Sequence, residues 1–193
     1  MANLLEVRWH GRGGQGAKTA ALLLAESASD AGKFIQAFPE YGPERMGAPV
    51  QAFTRIDDEP IKMHCHVTNP KIVVILDPSL IGSSVDVTAG VPEDGIFIIN
   101  TGTTPQEMRK KLGIDSGEVY TVDANQIALD NIGRPIPNTP MLGALVKVTG
   151  LLELDSLVED TERKLSQRFA GRPQIVEGNI KAIKTAYQEV KGE

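Results

Sequence analysis

Short apolar runs alternate with longer amphipathic runs along this chain. Residues 4–10, 33–38, 71–76, 95–99 and 118–122 have strand character, and the last three are apolar at nearly successive positions, the mark of strands buried on both faces. Helical segments fall between and after them. An Ala/Leu-rich stretch, residues 17–31, ends at Gly32, a usual C-terminal stop. A helix begins within residues 126–131, and another opens at Asn138-Thr139-Pro140, with Thr139 as N-cap and Pro140 in the first turn. In that second helix Met141, Leu145, Val148 and Leu152 form a stripe, while Leu142, Ala144, Val146 and Leu151 extend the apolar surface to most sides. Such a helix is either deeply buried or lies at a subunit interface, and Met141 and Leu145 are its interface candidates. Ser156 and Glu159 have capping-box spacing for the next helix. The last helix, from about Pro173, carries a clean stripe at Val176, Ile180, Ile183, Tyr187 and Val190.

Strands alternating with helices predict a mostly parallel sheet between helical layers, a three-layer α/β/α arrangement of the Rossmann-like kind. One segment departs from that rhythm. Residues 50–56 and 60–67 pattern as an antiparallel β-hairpin around Asp57-Asp58-Glu59, which makes the sheet mixed. No repeat, low-complexity tract or long linker divides the chain, so residues 1–193 are expected to form a single domain, within the size range of about 100–200 residues.

Composition narrows the function. The formal net charge is −5, from 20 Lys+Arg against 25 Asp+Glu, and aromatic residues make up 5%. A basic nucleic-acid face and a base-stacking platform are both disfavoured. The longest apolar stretch is residues 20–25, far below the roughly 18 that a membrane helix needs, and the N-terminus lacks a signal-peptide pattern, so a cytoplasmic location is expected. Cys65 is the single cysteine. It excludes an intrachain disulfide and cannot supply the roughly four thiolates of an iron–sulfur cluster.

The chemistry-bearing segment is Gly11-Arg12-Gly13-Gly14-Gln15-Gly16, a G-x-G-x-x-G run between a strand and a helix. Glycine lets backbone approach a ligand closely, and a helix N-terminus presents free N–H groups to an anion. A dinucleotide enzyme would add an acidic residue at the end of the second strand, where this chain has Phe38-Pro39 before Glu40. A phosphate-binding P-loop is excluded because Ala17 separates Gly16 from Lys18-Thr19. A tight turn that binds nothing remains the alternative to an anion site. His64-Cys65-His66 would put two histidines on one strand face, yet a third and fourth metal ligand are wanting, and no base stands beside Cys65. Asp77, Asn100 and Asp123 follow apolar strands and read first as caps of the turns after them. Arg163, Lys164, Arg168 and Arg172 stand among Glu159, Asp160 and Glu162 and read as a solvated helix face. The loop of residues 39–49 is longer than the usual 4–6 or so, and its Tyr41, Glu44 and Arg45 are candidates for an interface or an active-site entrance.

Trp9-His10-Gly11-Arg12-Gly13-Gly14-Gln15-Gly16, followed by Phe38-Pro39-Glu40-Tyr41-Gly42-Pro43-Glu44-Arg45-Met46-Gly47-Ala48-Pro49 and by Asn138-Thr139-Pro140-Met141-Leu142-Gly143-Ala144, resembles the gamma subunit of 2-oxoacid:ferredoxin oxidoreductases. The form of the second motif is most similar to the pyruvate branch, with the branched-chain 2-oxoacid branch next. The resemblance implies a supporting subunit. Thiamine diphosphate with Mg2+ would lie between alpha and beta subunits, and [4Fe-4S] clusters in a delta subunit would pass electrons to ferredoxin. Pyruvate and coenzyme A would become acetyl-CoA and CO2, reversibly. This chain would hold none of those cofactors alone, pack on alpha, help close the site, and bring Gly11, Gly13, Gly14, Gln15 and Gly16 towards an anion or coenzyme A. Two other readings stand beside it: a free-standing dinucleotide-dependent dehydrogenase, and a scaffold subunit whose glycine turn binds no ligand.

Overall fold

The computed structural model describes residues 4–40 and 46–193. Its strands are β1 (Leu5–Arg12), β2 (Phe34–Pro39), β3 (Pro49–Asp57), β4 (Ile72–Ile75), β5 (Ile96–Asn100), β6 (Glu118–Val122) and β7 (Lys191–Gly192). They form one sheet in the order β2-β3-β1-β4-β5-β6-β7. β1, β4, β5 and β6 run parallel in the centre, whereas β3 is antiparallel to both β1 and β2, and β7 is antiparallel to β6. The helices are α1 (Ala17–Asp30), α2 (Pro105–Leu112), α3 (Ala124–Ile132), α4 (Asn138–Thr149), α5 (Leu154–Arg168) and α6 (Pro173–Glu189).

Strand alternation sorts the side chains into two unequal layers. Val7, Trp9, Ile72, Val74, Ile98 and Val122 face a core shared with α1, α3, α4, α5 and α6. Val73, Ile75, Phe97, Ile99 and Val119 face the other side, where among the described residues they are covered by α2 through Met108 and Leu112, by the segment around Leu80, Ile81 and Val87, and by Val91 and Ile114. The result is the expected three-layer α/β/α fold, thick on one face and thin on the other.

The predicted hairpin is corrected in one arm. β3 forms as expected, but its antiparallel partner is β2, and residues 60–67 form no strand. Both edges of β3 are already taken by β1 and β2. Residues 60–67 instead pass the outer strand, where the Gln36 side-chain amide donates to the carbonyl of Met63 at 2.9 Å. His64, Cys65 and His66 are consequently exposed and not arranged on a strand face.

Two predicted caps are also displaced. α4 begins at Asn138, and Thr139 is buried inside its first turn, donating to Asn179 of α6 at 2.7 Å. α5 begins at Leu154, which places Ser156 within the helix and leaves no side-chain cap. α2 and β7 were not anticipated, although Thr104 and Glu107 form a complete capping box at the start of α2.

The apolar helix α4 resolves to the buried alternative. Met141 and Leu145 are both fully buried within this chain, so they do not form a subunit interface. α4 packs chiefly on α6, with further contacts to α1, α3 and the sheet. The approach to α6 is set by Gly143: a Cβ there would lie 2.1 Å from the backbone oxygen of Ile183. Gly178 plays the same part where α6 meets α3, its Cβ position 2.3 Å from the Asn131 oxygen. Gly143→Ala should therefore force the two helices apart and destabilise the chain by about 3 kcal/mol, the upper end for overpacking a close-packed contact. Urea unfolding of the purified variant tests this, and an unchanged midpoint would contradict it.

Candidate functional site

The site grows from the end of β1. Arg12 closes that strand, Gly14 and Gly16 take left-handed conformations (φ 99 and φ 82), and α1 starts at Ala17. Only glycine adopts these angles without strain. At Gly16 a side chain is also barred by space, because a Cβ would come within 2.6 Å of Asn138 Nδ2.

The half-buried Gln15 side chain turns back onto the loop that carries it. Its Oε1 accepts from the Arg12 backbone N–H at 2.7 Å, and its Nε2 donates to Asp77 Oδ2 at 2.8 Å. Arg12 is drawn to the same carboxylate, with Nε 3.2 Å from Asp77 Oδ2, and reaches Ser79 Oγ at 2.9 Å and the Gly47 carbonyl at 3.1 Å. Gly13 is held by the Ala48 carbonyl at 2.9 Å and accepts from Gly47 N–H at 3.2 Å. The turn is thus braced on three sides, by its own Gln15, by the end of β4 and by the segment leading into β3.

Asp77 is the hub of that brace. It caps the short 3-10 turn Pro78–Leu80, accepting from Ser79 N–H at 2.9 Å, in line with the cap reading. Burial works to raise its pKa, but hydrogen bonds from Ser79 and Gln15 and the charge of Arg12 outweigh that and hold it below the ordinary carboxylate value. Asp123 caps α3 as expected, accepting from Gln126 N–H at 3.0 Å. Asn100 ties neighbouring elements together: it donates to the Leu76 carbonyl at 2.8 Å and accepts from Asn125 N–H at 3.1 Å.

The glycine turn stands between two clefts. One, of about 430 Å³, is lined by Arg12, Gly13, Gly14, Gly16, Lys18 and Glu40, among others. Met46 forms part of its rim and is 95% exposed. The other, of about 460 Å³, lies on the side of α4 and α6. Gly11 lies below both, buried against Gln15 and Leu76. Tyr41, Glu44 and Arg45 lie outside the described residues. Among the described residues, no group of three or more His, Cys, Asp or Glu is placed to hold a metal ion.

His10 carries a feature that the spacing argument passed over. It lies on β1 on the thin side of the sheet, fully buried, and neither ring nitrogen has a hydrogen-bond partner among the described residues. Burial, with the nearby Arg8 charge, lowers its pKa to about 3, and Asp86 opposes this only weakly. Arg8 itself donates to the Val87 carbonyl at 3.0 Å. The strand alternation of residues 4–10 would have placed His10 opposite Trp9, but nothing in the pattern signals that the thin layer encloses it.

The glycine turn at the carboxyl edge of an open α/β sheet marks a Rossmann-like chain, but not an ordinary dinucleotide-binding one. In that class the second strand adjoins the first, whereas here β3 separates β2 from β1. The sequence matches the family described as pyruvate ferredoxin/flavodoxin oxidoreductase over residues 6–189. It is 47% identical over 186 residues to pyruvate synthase subunit PorC of Thermotoga maritima, covering 96% of this chain and 94% of that one. It is also 47% identical over 188 residues to the pyruvate/ketoisovalerate oxidoreductases common subunit gamma of Pyrococcus abyssi, covering 97% and 98%. The crystal structure of the Thermotoga maritima pyruvate oxidoreductase subunit PORC matches with a TM-score of 0.85 at 46% identity, covering 98% of each chain. The chain therefore belongs to the pyruvate ferredoxin/flavodoxin oxidoreductase family, as a gamma-type subunit chain.

The buried neutral His10 predicts an acid sensitivity with a definite sign. In the unfolded chain it takes up a proton near the ordinary histidine value of 6.5, while in the folded chain it resists protonation down to about 3. Folded stability should fall as pH drops from about 6 to about 4.5, approaching 1.4 kcal/mol per pH unit from this residue alone. His10→Leu should flatten that slope in denaturant titrations. An equal slope in the variant would show that His10 does not carry it.

Proposed function

We propose that this chain is the gamma subunit of a thiamine diphosphate- and iron–sulfur-dependent pyruvate:ferredoxin oxidoreductase, acting as one domain of about its full length in a cytoplasmic complex with alpha, beta and delta subunits. The complex interconverts pyruvate, coenzyme A and oxidised ferredoxin with acetyl-CoA, CO2 and reduced ferredoxin. The observation that carries this reading is the braced glycine turn, held rigid by Gln15, Arg12 and Asp77 yet open to a cleft whose rim exposes Met46. An exposed apolar side chain beside a preorganised turn suits a surface that meets a partner. The pyruvate synthase and common gamma subunits to which the chain is similar support the same assignment.

The thiol content of this chain does not fit the iron–sulfur clusters of such an enzyme, because Cys65 alone cannot supply the roughly four thiolates of a [4Fe-4S] cluster. In this reading the clusters, which supply electron transfer, and thiamine diphosphate with Mg2+, which supplies decarboxylation, belong to the other subunits. This chain contributes shape. The turn at Gly13–Gly16 and the segment after Met46 face the alpha subunit at the active-site entrance, exclude water from the reacting carbon, and help receive coenzyme A. No helix among the described residues is long and apolar enough to cross a membrane.

Purified alone, the chain should reduce no dye with pyruvate and coenzyme A and show no iron–sulfur absorbance. Adding it to the complex depleted of gamma should restore turnover. Gly14→Val, which forces a branched side chain into a left-handed position, should leave the sheet intact but lower the restored rate at least tenfold through local strain of a few kcal/mol. Pyruvate oxidation by the chain alone, or full activity of the depleted complex, would overturn the assignment.

A further inference from the structure

One edge of the sheet is closed and the other is open. β7, at one end, is two residues long and carries Lys191, so it offers a poor template for further pairing. β2, at the other end, has six residues, Phe-Ile-Gln-Ala-Phe-Pro, with no charge among them. Its inner side is satisfied. The Glu40 N–H donates to the Gln51 carbonyl at 3.0 Å, and the register with β3 turns the backbone groups of Phe34, Gln36 and Phe38 the same way. The N–H and C=O groups of Ile35 and Ala37 therefore point outwards, and no backbone group meets them among the described residues.

Large apolar side chains gather at that edge. Phe34 lies on β2 itself and is exposed. Met63, also exposed, belongs to the segment that Gln36 holds against β2, and exposed Leu22 lies on α1, which packs on β2 and β3. The two ends of the strand limit what can pair with it. The Lys33 N–H is already taken by the Ala28 carbonyl at 3.0 Å, and Pro39 has no N–H. Only Ile35 and Ala37 keep both outward groups, so a strand added here must centre on Gln36.

We propose that this edge pairs antiparallel with the same edge of a second copy of this chain, about a two-fold axis at Gln36. Ile35 of each copy then exchanges two backbone hydrogen bonds with Ala37 of the other. Phe34 stands opposite Phe38, an aromatic cross-strand pair made twice, and Gln36 stands opposite its own counterpart. Such an interface is self-complementary, as two-fold symmetry requires. Charge selects the same arrangement. Lys33 precedes β2 and exposed Glu40 follows it, so antiparallel pairing sets each Lys33 near the Glu40 of the other copy, whereas parallel pairing would juxtapose like charges. The inference rests on this chain alone and not on the subunit assignment.

Sedimentation velocity on the purified chain tests the proposal, and a concentration-dependent dimer is expected. Ala37→Pro removes an outward N–H and spares the ladder to β3, as proline does at an edge strand. Each dimer loses two hydrogen bonds, so the dissociation constant should rise about tenfold or more, with the circular dichroism of the wild type. Phe34→Lys, at an exposed side chain, should act likewise, while Leu129→Lys, exposed on α3, should leave the dimer intact. Gln36→Cys in a Cys65→Ser background should form an intermolecular disulfide on mild oxidation, because facing residues at the axis approach within disulfide reach. A wild-type chain that stays monomeric at hundreds of micromolar would overturn the proposal. So would a dimer that survives both Ala37→Pro and Phe34→Lys. Protection of the Ile35 and Ala37 amides from exchange only when other subunits are present would assign the edge to a different partner, and the proposal would fail.

Discussion

Asp77 is the contact on which the working end of this chain depends. One carboxylate at the end of β4 takes a hydrogen bond from Gln15, an ion pair from Arg12 and a cap from Ser79, and so joins the glycine turn to the middle of the sheet. The turn itself has little to hold it. Gly14 and Gly16 supply the conformations that only glycine adopts cheaply, but the same freedom would leave the turn loose without a fixed partner. Gln15 provides that partner by bridging the Arg12 backbone to Asp77. Its role is therefore to shape the turn, and the backbone of the flanking glycines is what faces the clefts.

The position of the clefts follows from how closely the helices pack. Gly143 and Gly178 let α6 reach the backbones of α4 and α3, and the Thr139–Asn179 hydrogen bond fixes the first turn of α4 against α6. Close packing at these points brings the N-termini of α4 and α6 together, and the contact of Gly16 with Asn138 sets the start of α1 beside them. The thin layer on the opposite face has a different consequence. It encloses Arg8 and His10 with few partners, and the histidine can remain there only as a neutral ring.

Much of this was legible from local patterns. The parallel strands, the glycine turn, α1 and the last helix follow from apolar periodicity and from glycine and proline signals. The departures are places where a partner distant in sequence decides. Residues 60–67 alternate like a strand but find both edges of β3 taken. Met141 and Leu145 belong to a helix whose all-round apolarity fits an interface or a core equally well, and only α6, which covers it, decides for the core. Arg168 and Arg172 stand among acidic neighbours in sequence, yet Asp160 pairs with Arg163 and no acid lines the cleft that the two arginines reach. By contrast, the Thr104–Glu107 capping box of α2 was fully written in the local sequence.

The central claim is that the end bearing the glycine turn is the face this chain turns towards the rest of its enzyme. Hydrogen–deuterium exchange on the free chain and on the assembled complex tests it most directly. Peptides covering residues 12–19 and 46–51 should become strongly protected on assembly, while those covering α2 and residues 113–117 should not change. Protection confined to α2 and its surroundings, with the glycine turn exchanging equally in both states, would contradict the account.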